Sequence, residues 1–255
     1  MTEQAAKRLT VLVTGSAGAI GKCAVWGLKQ RGHTVRGFDR HPSPNVDEDH
    51  VGELTDADAV DRAVRGVDAV VHLAAIPTEA AFMPDLLESN VTGMYHVCDR
   101  AREHGVGRLI LTSSIQVMVH APNWGARPVT LDDGTAVSSF YAMTKLWAES
   151  MGEVYHRKFG MSVIVIRPGW LPHSAEAIAR MSANDDSKNH YLSRADAVEI
   201  WRRAVEVEDV GYAVVPVQSR AHRFPHMDLE PMKQVLGYEP RYAWPDGWEV
   251  EGLPE

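Results

Sequence analysis

Cysteine is nearly absent from the 255-residue sequence: only Cys23 and Cys98 occur, each within a helical pattern. Two thiols make no disulfide framework, so the chain is read as a reduced, cytoplasmic protein held together by its core alone. Positive charge is also short, with 26 Lys and Arg against 34 Asp and Glu, a formal charge of −8. That balance excludes general nucleic-acid binding, which needs concentrated Lys and Arg. No apolar run approaches the roughly 20 residues that cross a bilayer. The polar stretch Met1–Arg8 leads straight into a strand pattern, so neither a membrane span nor a secretory signal is expected. Without export, the acceptor-like triplet Asn90-Val91-Thr92 carries no meaning. Metal-ligand spacing is missing among the twelve histidines. His222 and His226 are four apart, but Pro225 between them prevents a shared helical face, and no metal is expected. There is no internal repeat and no low-complexity segment.

What is present is enough chain for a full core, read as a single domain over residues 1–255. Strand and helix patterns alternate, which favours an α/β fold with a doubly wound parallel sheet. Strands are expected at Leu9–Thr14, His33–Asp39, Val51–Leu54, Val67–Leu73, Arg108–Ser113, Ser162–Arg167 and Tyr212–Val217. Helices are expected at Ala19–Arg31, Asp56–Arg65, Asp85–His104, Phe140–Phe159 and Asp228–Leu236. His41–His50 reads as a surface connection and Gln116–Ser138 as a long, functional one. After Pro168 the alternation breaks. Gly169–Asn189 holds only a short apolar-periodic piece around Ala175–Met181. Ser193-Arg194-Ala195-Asp196 reads as a capping box opening a helix to about Val205. Residues 9–167 are thus mainly the regular core. Residues 168–255 are mainly a small C-terminal cap, with the last core strand interleaved.

The functional signal starts at Val11-Leu12-Val13-Thr14-Gly15-Ser16-Ala17-Gly18-Ala19-Ile20-Gly21. A β-branched run gives way to three glycines spaced three apart, and a helical pattern follows at once. Glycine permits a tight turn and close backbone approach to a ligand. The N–H groups that open the next helix can then hold a pyrophosphate. Asp39, closing the second strand, falls where such a fingerprint expects an acid for the adenosine ribose. Tyr141 and Lys145 lie four apart at the start of a helix and project from one face. The carboxyl ends of parallel strands border the ligand crevice, so Ser114, just past the fifth strand, is expected to meet them there. A phenol with an ordinary pKa of roughly 10 is a poor base. A neighbouring ammonium and a positively charged nicotinamide both favour the phenolate, which can take a hydroxyl proton while hydride leaves the same carbon.

With these motifs in place, the chain resembles the extended short-chain dehydrogenase/reductase family, the NAD-dependent sugar epimerase and dehydratase group. The resemblance rests on the T-G-x-x-G-x-I-G turn at Thr14–Gly21, on Asp39 and on the strand end His72-Leu73-Ala74-Ala75. It rests further on Asn90-Val91-x-Gly93, Ser113-Ser114, Tyr141-x-x-x-Lys145, Arg167-Pro168 and Leu236-Gly237-Tyr238-x-Pro240-Arg241. It implies a Rossmann-type fold with 9–167 mainly the dinucleotide-binding core and 168–255 mainly a small C-terminal substrate-binding cap. In that fold Gly15, Gly18 and Gly21, with Ala17, Ala19 and Ile20, cradle the pyrophosphate. Asp39 and Arg40 would hold the ribose end, and Glu53 and Leu54 would lie near adenine. Leu73, Ala74 and Ala75 would line the nicotinamide side, with Thr112, Tyr141, Lys145 and Pro168 completing the cofactor site. For Asn90 two readings stand, a supporting cofactor-site residue or a mid-helix Asn bonded to nearby backbone. Ser114, Tyr141 and Lys145 are the implied catalytic set. Asp39 repels a 2′-phosphate and favours NAD over NADP, although an Arg40 guanidinium can accept that phosphate or stack on adenine.

The region after Pro168 is small for the family, which implies a small substrate, and the chain is most similar to the uronate dehydrogenase-like subgroup. Those enzymes oxidise C1 of a sugar acid to a lactone with NAD. Arg180-Met181-Ser182 resembles their arginine segment, where a guanidinium grips the substrate carboxylate; an exposed loop arginine is the other reading. Thr78, Ser114, Gln116, Tyr141 and Arg180 are the implied substrate-binding residues. The subgroup has Asn-His after the serine pair, whereas this chain has Ile115-Gln116, so hydroxyl recognition is altered. Pro77 and Trp124 are further pocket candidates, with Met118, Trp170 and Met181 making the pocket more apolar. The expected function is NAD-dependent hydride transfer with a small hydroxyl or carbonyl compound. An epimerase or dehydratase with transient hydride transfer is the alternative, and a non-catalytic NAD(H) sensor a lesser one. The family also implies a homodimer through Asp85–His104 and Phe140–Phe159.

Overall fold

Apolar runs become the strands, and their two-residue period sorts side chains to opposite faces of one sheet. The computed structural model describes residues 7–43 and 45–254; most of Met1–Arg8, the stretch weighed for a secretory signal, lies outside them. The strands are β1 (Thr10–Thr14), β2 (Thr34–Asp39), β3 (Glu48–Val51), β4 (Ala69–His72), β5 (Arg108–Thr112), β6 (Ser162–Pro168) and β7 (Tyr212–Val217). All pair in parallel in the order β3-β2-β1-β4-β5-β6-β7. On β1, Val11 and Val13 face one core while Leu12 faces the other. The first core is covered by α1 (Ala19–Gln30) and, from the last third of the chain, α7 (Arg194–Glu206) with the fully buried Trp201. Gly27 lets these two helices touch: a Cβ there would lie 2.5 Å from the Val198 carbonyl oxygen. The second core is covered by α2 (Ala57–Val64), α3 (Met94–Glu103) and α4 (Phe140–Phe159). The remaining helices are α5 (Ala175–Ala183), α6 (Asp185–Lys188) and α8 (Glu230–Leu236).

Four expectations change. The third strand is Glu48–Val51, not Val51–Leu54, so the end of the expected His41–His50 connection is strand. It is an exposed edge strand whose polar residues pair with Arg36–Asp39, and solvated edges need no apolar alternation. The Asp85–His104 helix begins at Phe82, and its first twelve residues run in wider turns, with the Leu86 N–H donating five residues back to Ala81. Pro168 does not halt β6 but pairs within it, opposite Val217. The Ser193 box is half formed. Ser193 accepts from the Asp196 N–H, but the fully buried Asp196 carboxylate accepts instead from Ser219, from the Tyr238 hydroxyl at 2.6 Å and from the Arg241 N–H. Asp196 thereby ties Ser219, just past β7, and the Leu236–Arg241 motif to the start of α7.

At the end of β4 the His72 Nδ1 shares a hydrogen bond with the Thr14 hydroxyl at 2.8 Å, and its Nε2 is buried without a partner. Burial, with the Lys145 ammonium adding to it, pushes this imidazole down to about 3. The unfolded chain takes up the proton below about 6.5 while the folded chain does not, so stability is lost as pH falls from there toward 3. His72→Gln is expected to remove about 2 kcal/mol of the stability difference between pH 7 and pH 5, read by urea unfolding.

Candidate active site

The strand order reverses between β1 and β4, and a cleft of about 1210 Å³ opens across the carboxyl ends of the sheet at that switch point. Three glycines shape one wall. Gly15 sits at φ +70°, where a Cβ would lie 2.7 Å from the Ala74 nitrogen. A Cβ on Gly21 would lie 2.0 Å from the Gly15 carbonyl oxygen, so the turn and helix meet backbone to backbone. Gly18 borders the cleft itself and caps α1 with no side chain, which leaves the opening N–H groups facing a space that suits an anion. At the end of β2 the Asp39 carboxylate accepts from the N–H of Ala17 at 3.1 Å and of His41 at 3.0 Å. This cradle fits a dinucleotide.

The opposite wall is α4. Ser139 caps it by accepting from the Ala142 N–H, and the Glu79 carboxylate accepts from the N–H of Phe140 at 3.2 Å and of Tyr141 at 2.8 Å. One turn further, the buried Lys145 Nζ donates to the Thr112 carbonyl at 3.2 Å and stands 5.6 Å from the Tyr141 ring centre. Burial pushes this ammonium down to about 8. The Ser114 hydroxyl stands on the same cleft as the Tyr141 phenol. Burial holds that phenol above its ordinary value, and the Ser114 hydroxyl pulls the other way. Beneath them Glu149 on α4 and Arg167 on β6 form a buried two-pronged ion pair at 2.7 and 2.8 Å, and the Ser113 hydroxyl donates to the same carboxylate at 2.6 Å. Adjacent serines thus divide the work: Ser113 anchors the strand end and Ser114 faces the phenol.

The cleft gathers the residues singled out from the sequence. It is lined by Gly15, Gly18, Ala19, Ile20, Gly21, Asp39, Arg40, Glu53, Leu54, Leu73, Ala74, Ala75, Thr112, Ser114, Tyr141, Lys145 and Pro168, and by Thr78, Gln116 and Arg180. Ala17 and Asn90 are not on its lining. The Ala17 N–H is taken up by Asp39. Asn90, buried, accepts from the Ile76 N–H and donates to the Ile76 carbonyl and to Thr144, so it fixes the 73–78 loop against α4 from behind. Pro77 and Trp170 also line the cleft. Met118 and Met181 are fully buried, and Trp124 instead stacks on His226. Glu79, His173, Ser187 and His190 line the cleft without any spacing signal in the sequence. Glu79 is 62 residues from the N–H it caps.

A glycine turn at the switch point of a parallel sheet, faced by a phenol, an ammonium and a hydroxyl, defines a dinucleotide-binding protein equipped for proton and hydride chemistry. The model of the NAD dependent epimerase/dehydratase family matches residues 11–191, and the chain belongs to that family, with NAD as its cofactor. It is 32% identical over 219 residues to the uronate dehydrogenase of Pseudomonas syringae pv. tomato, covering 80% of this chain and 72% of that protein. It is 30% identical over 247 residues to the L-arabinose 1-dehydrogenase (NAD(P)(+)) of Haloferax volcanii, covering 91% and 96%. A solved mutant of the uronate dehydrogenase from Agrobacterium tumefaciens, complexed with NAD, superposes with a TM-score of 0.77 at 25% identity, covering 92% of this chain and 86% of that one. Among the described residues, no helix is long and apolar enough to cross a membrane.

Proposed function

We propose that the protein is an NAD-dependent dehydrogenase that oxidises the hydroxyl-bearing C1 of a small sugar acid to a lactone. The observation that carries this reading is the convergence of Ser114, Tyr141 and Lys145 on the cleft whose other wall is the Gly15–Gly21 turn. Gly15, Gly18 and Gly21 hold the pyrophosphate, Asp39 the ribose and Glu53 the adenine end. NAD, when bound, is the hydride acceptor. Ser114 orients the substrate hydroxyl, Tyr141 takes its proton, and the Lys145 ammonium favours the phenolate. Asp39 places a carboxylate where NADP would carry its 2′-phosphate, which favours NAD.

Arg180 supports an acidic substrate. It is exposed at the cleft, lies over the Trp170 ring at 5.6 Å, and makes no ion pair among the described residues, so its fork is available to a carboxylate. Ile115 on the same cleft offers no hydrogen bond, so Gln116 and Thr78 are left to recognise the sugar hydroxyls. A panel of uronates and L-arabinose with NAD, and of apolar ketones with NADH, read by the absorbance of reduced nicotinamide, tests the proposal. Accumulating NADH with a uronate supports it. Product without NADH makes the enzyme an epimerase or dehydratase, and cofactor binding without turnover makes it a sensor. The cytoplasmic placement rests on the two unpaired thiols.

The pairing of two chains belongs to the same proposal. Tyr95 on α3 and Phe140, Met143, Trp147 and Val154 on α4 are each 40 to 55% exposed, an apolar face on the two long helices. Light scattering is expected to give a dimer and Trp147→Glu a monomer. A wild-type monomer would contradict the pairing.

A further inference from the structure

The cap holds a cluster of side chains that the dehydrogenase chemistry does not use. The short α6 is capped by Asn184, whose Oδ1 accepts from the N–H of Asp186 and Ser187. His190 follows one turn later. The segment 223–226 returns alongside, stitched by Asn189, whose Oδ1 accepts from the N–H of Arg223 at 2.8 Å and of Phe224 at 3.0 Å. This brings His226 to Asp186 and His190 from a distant part of the chain. One ligand atom from each of the three lies within 4.8 Å of the other two. His226 is only 3% exposed, with Nε2 2.7 Å from an Asp186 carboxylate oxygen, and the Trp124 ring stacks on it at 4.6 Å and 6°. The Nδ1 atoms of His190 and His226 are both buried and have no hydrogen-bond partner.

We propose that Asp186, His190 and His226 form a binding site for a divalent transition metal of the zinc class, which clamps α6 to the 223–226 segment at the rim of the cleft. Two imidazoles and one carboxylate suit such an ion, whereas magnesium and calcium prefer oxygen ligands alone. Zinc bonds of about 2.0–2.2 Å in a tetrahedron place ligand atoms roughly 3.3–3.6 Å apart. The cluster reaches that spacing by widening the His226–Asp186 contact and drawing His190 inward. Lys188 and Arg223, the cations close by, pair with Asp185 and leave Asp186 to the cluster. Three protein ligands leave a fourth position for water. His190 and Ser187 line the same cleft as Arg180. The site stands independently of the substrate proposed above.

The test uses the full chain, made without a polyhistidine tag and stripped with a chelator. Zn²⁺ and Co²⁺ are titrated by calorimetry and by visible absorption. The expected result is one ion per chain, a tetrahedral Co²⁺ spectrum displaced by Zn²⁺, and a rise in melting temperature with Zn²⁺. Asp186→Asn, on the surface, and His190→Gln are each expected to weaken binding about tenfold or more and to abolish the tetrahedral spectrum. Circular dichroism verifies that these variants fold, and His226→Ala is a third, buried position. Wild-type binding no tighter than that of the Asp186→Asn/His190→Gln double variant overturns the proposal. So does a Co²⁺ spectrum that survives it.

Discussion

Tyr141→Phe is expected to lower kcat by about 10²–10⁴-fold, the range for a lost general base, and to leave NAD binding unchanged. The substitution removes one oxygen. The ring, its place on α4 beside Lys145 and the Glu79 and Ser139 caps remain, so the cleft keeps its shape. What disappears is the phenol oxygen proposed to receive the substrate proton, on the cleft it shares with Ser114. Without a bound cofactor the phenol is held high by burial, so the base needs nearby positive charge before it can act near neutral pH. Lys145 supplies part of that charge while it is protonated, below about 8. Oxidation is therefore expected to rise with pH as the phenol deprotonates. Lys145→Met is expected to move this rise to higher pH, because one stabilising charge is gone. Steady-state rates across pH, with NAD affinity measured separately, check both variants. Turnover that survives Tyr141→Phe would remove the phenol from the mechanism.

Arg167→Met is expected to cost about 3–5 kcal/mol of stability, the range for stranding a buried charge. Arg167 and Glu149 are 4% and 6% exposed, so water cannot replace the lost guanidinium. The carboxylate would keep only the Ser113 hydroxyl as a side-chain donor. The double variant Glu149→Gln/Arg167→Met removes both charges and is expected to recover most of the loss, since a buried ion pair contributes far less net than its rupture costs. Urea unfolding of the two single variants and the double measures the coupling. The Arg167 Nη1 also lies 4.0 Å from the Met118 sulfur, and a double variant no more stable than Arg167→Met would show that this packing, rather than charge, sets the cost. The pair lies directly behind Ser113 and Ser114, so the surviving folded fraction of Arg167→Met is expected to show a raised KM as well.

Most of the nucleotide half was legible because its signals are local. The apolar run of β1, the glycine spacing after it and the period of α4 each describe a few neighbouring residues, and α4 begins and ends where its pattern does. Gly160 stops it at φ +69°, a conformation that glycine adopts without strain. The third strand was misplaced because an exposed edge owes its pairing to Arg36–Asp39 rather than to its own side chains. Longer-range partners left no trace in spacing. Asp196 looked like half of a capping box, yet its partners lie 23, 42 and 45 residues ahead. Asp186 and His190 show no ligand pattern until the fold sets His226 against them. Asn90 sits within a helix and bonds backbone, but that of Ile76, 14 residues before it, rather than a near neighbour on its own helix.

Hydride transfer from a sugar-acid carbon to NAD, with Tyr141 taking the proton, is the reaction proposed for this cleft. Incubating the protein with NAD and a uronate deuterated at C1, followed by NMR of the cofactor, measures that transfer. One deuterium in the reduced nicotinamide is expected for each lactone formed, and none with Tyr141→Phe. Deuterium retained in a rearranged sugar, with no reduced cofactor accumulating, would refute the proposed reaction.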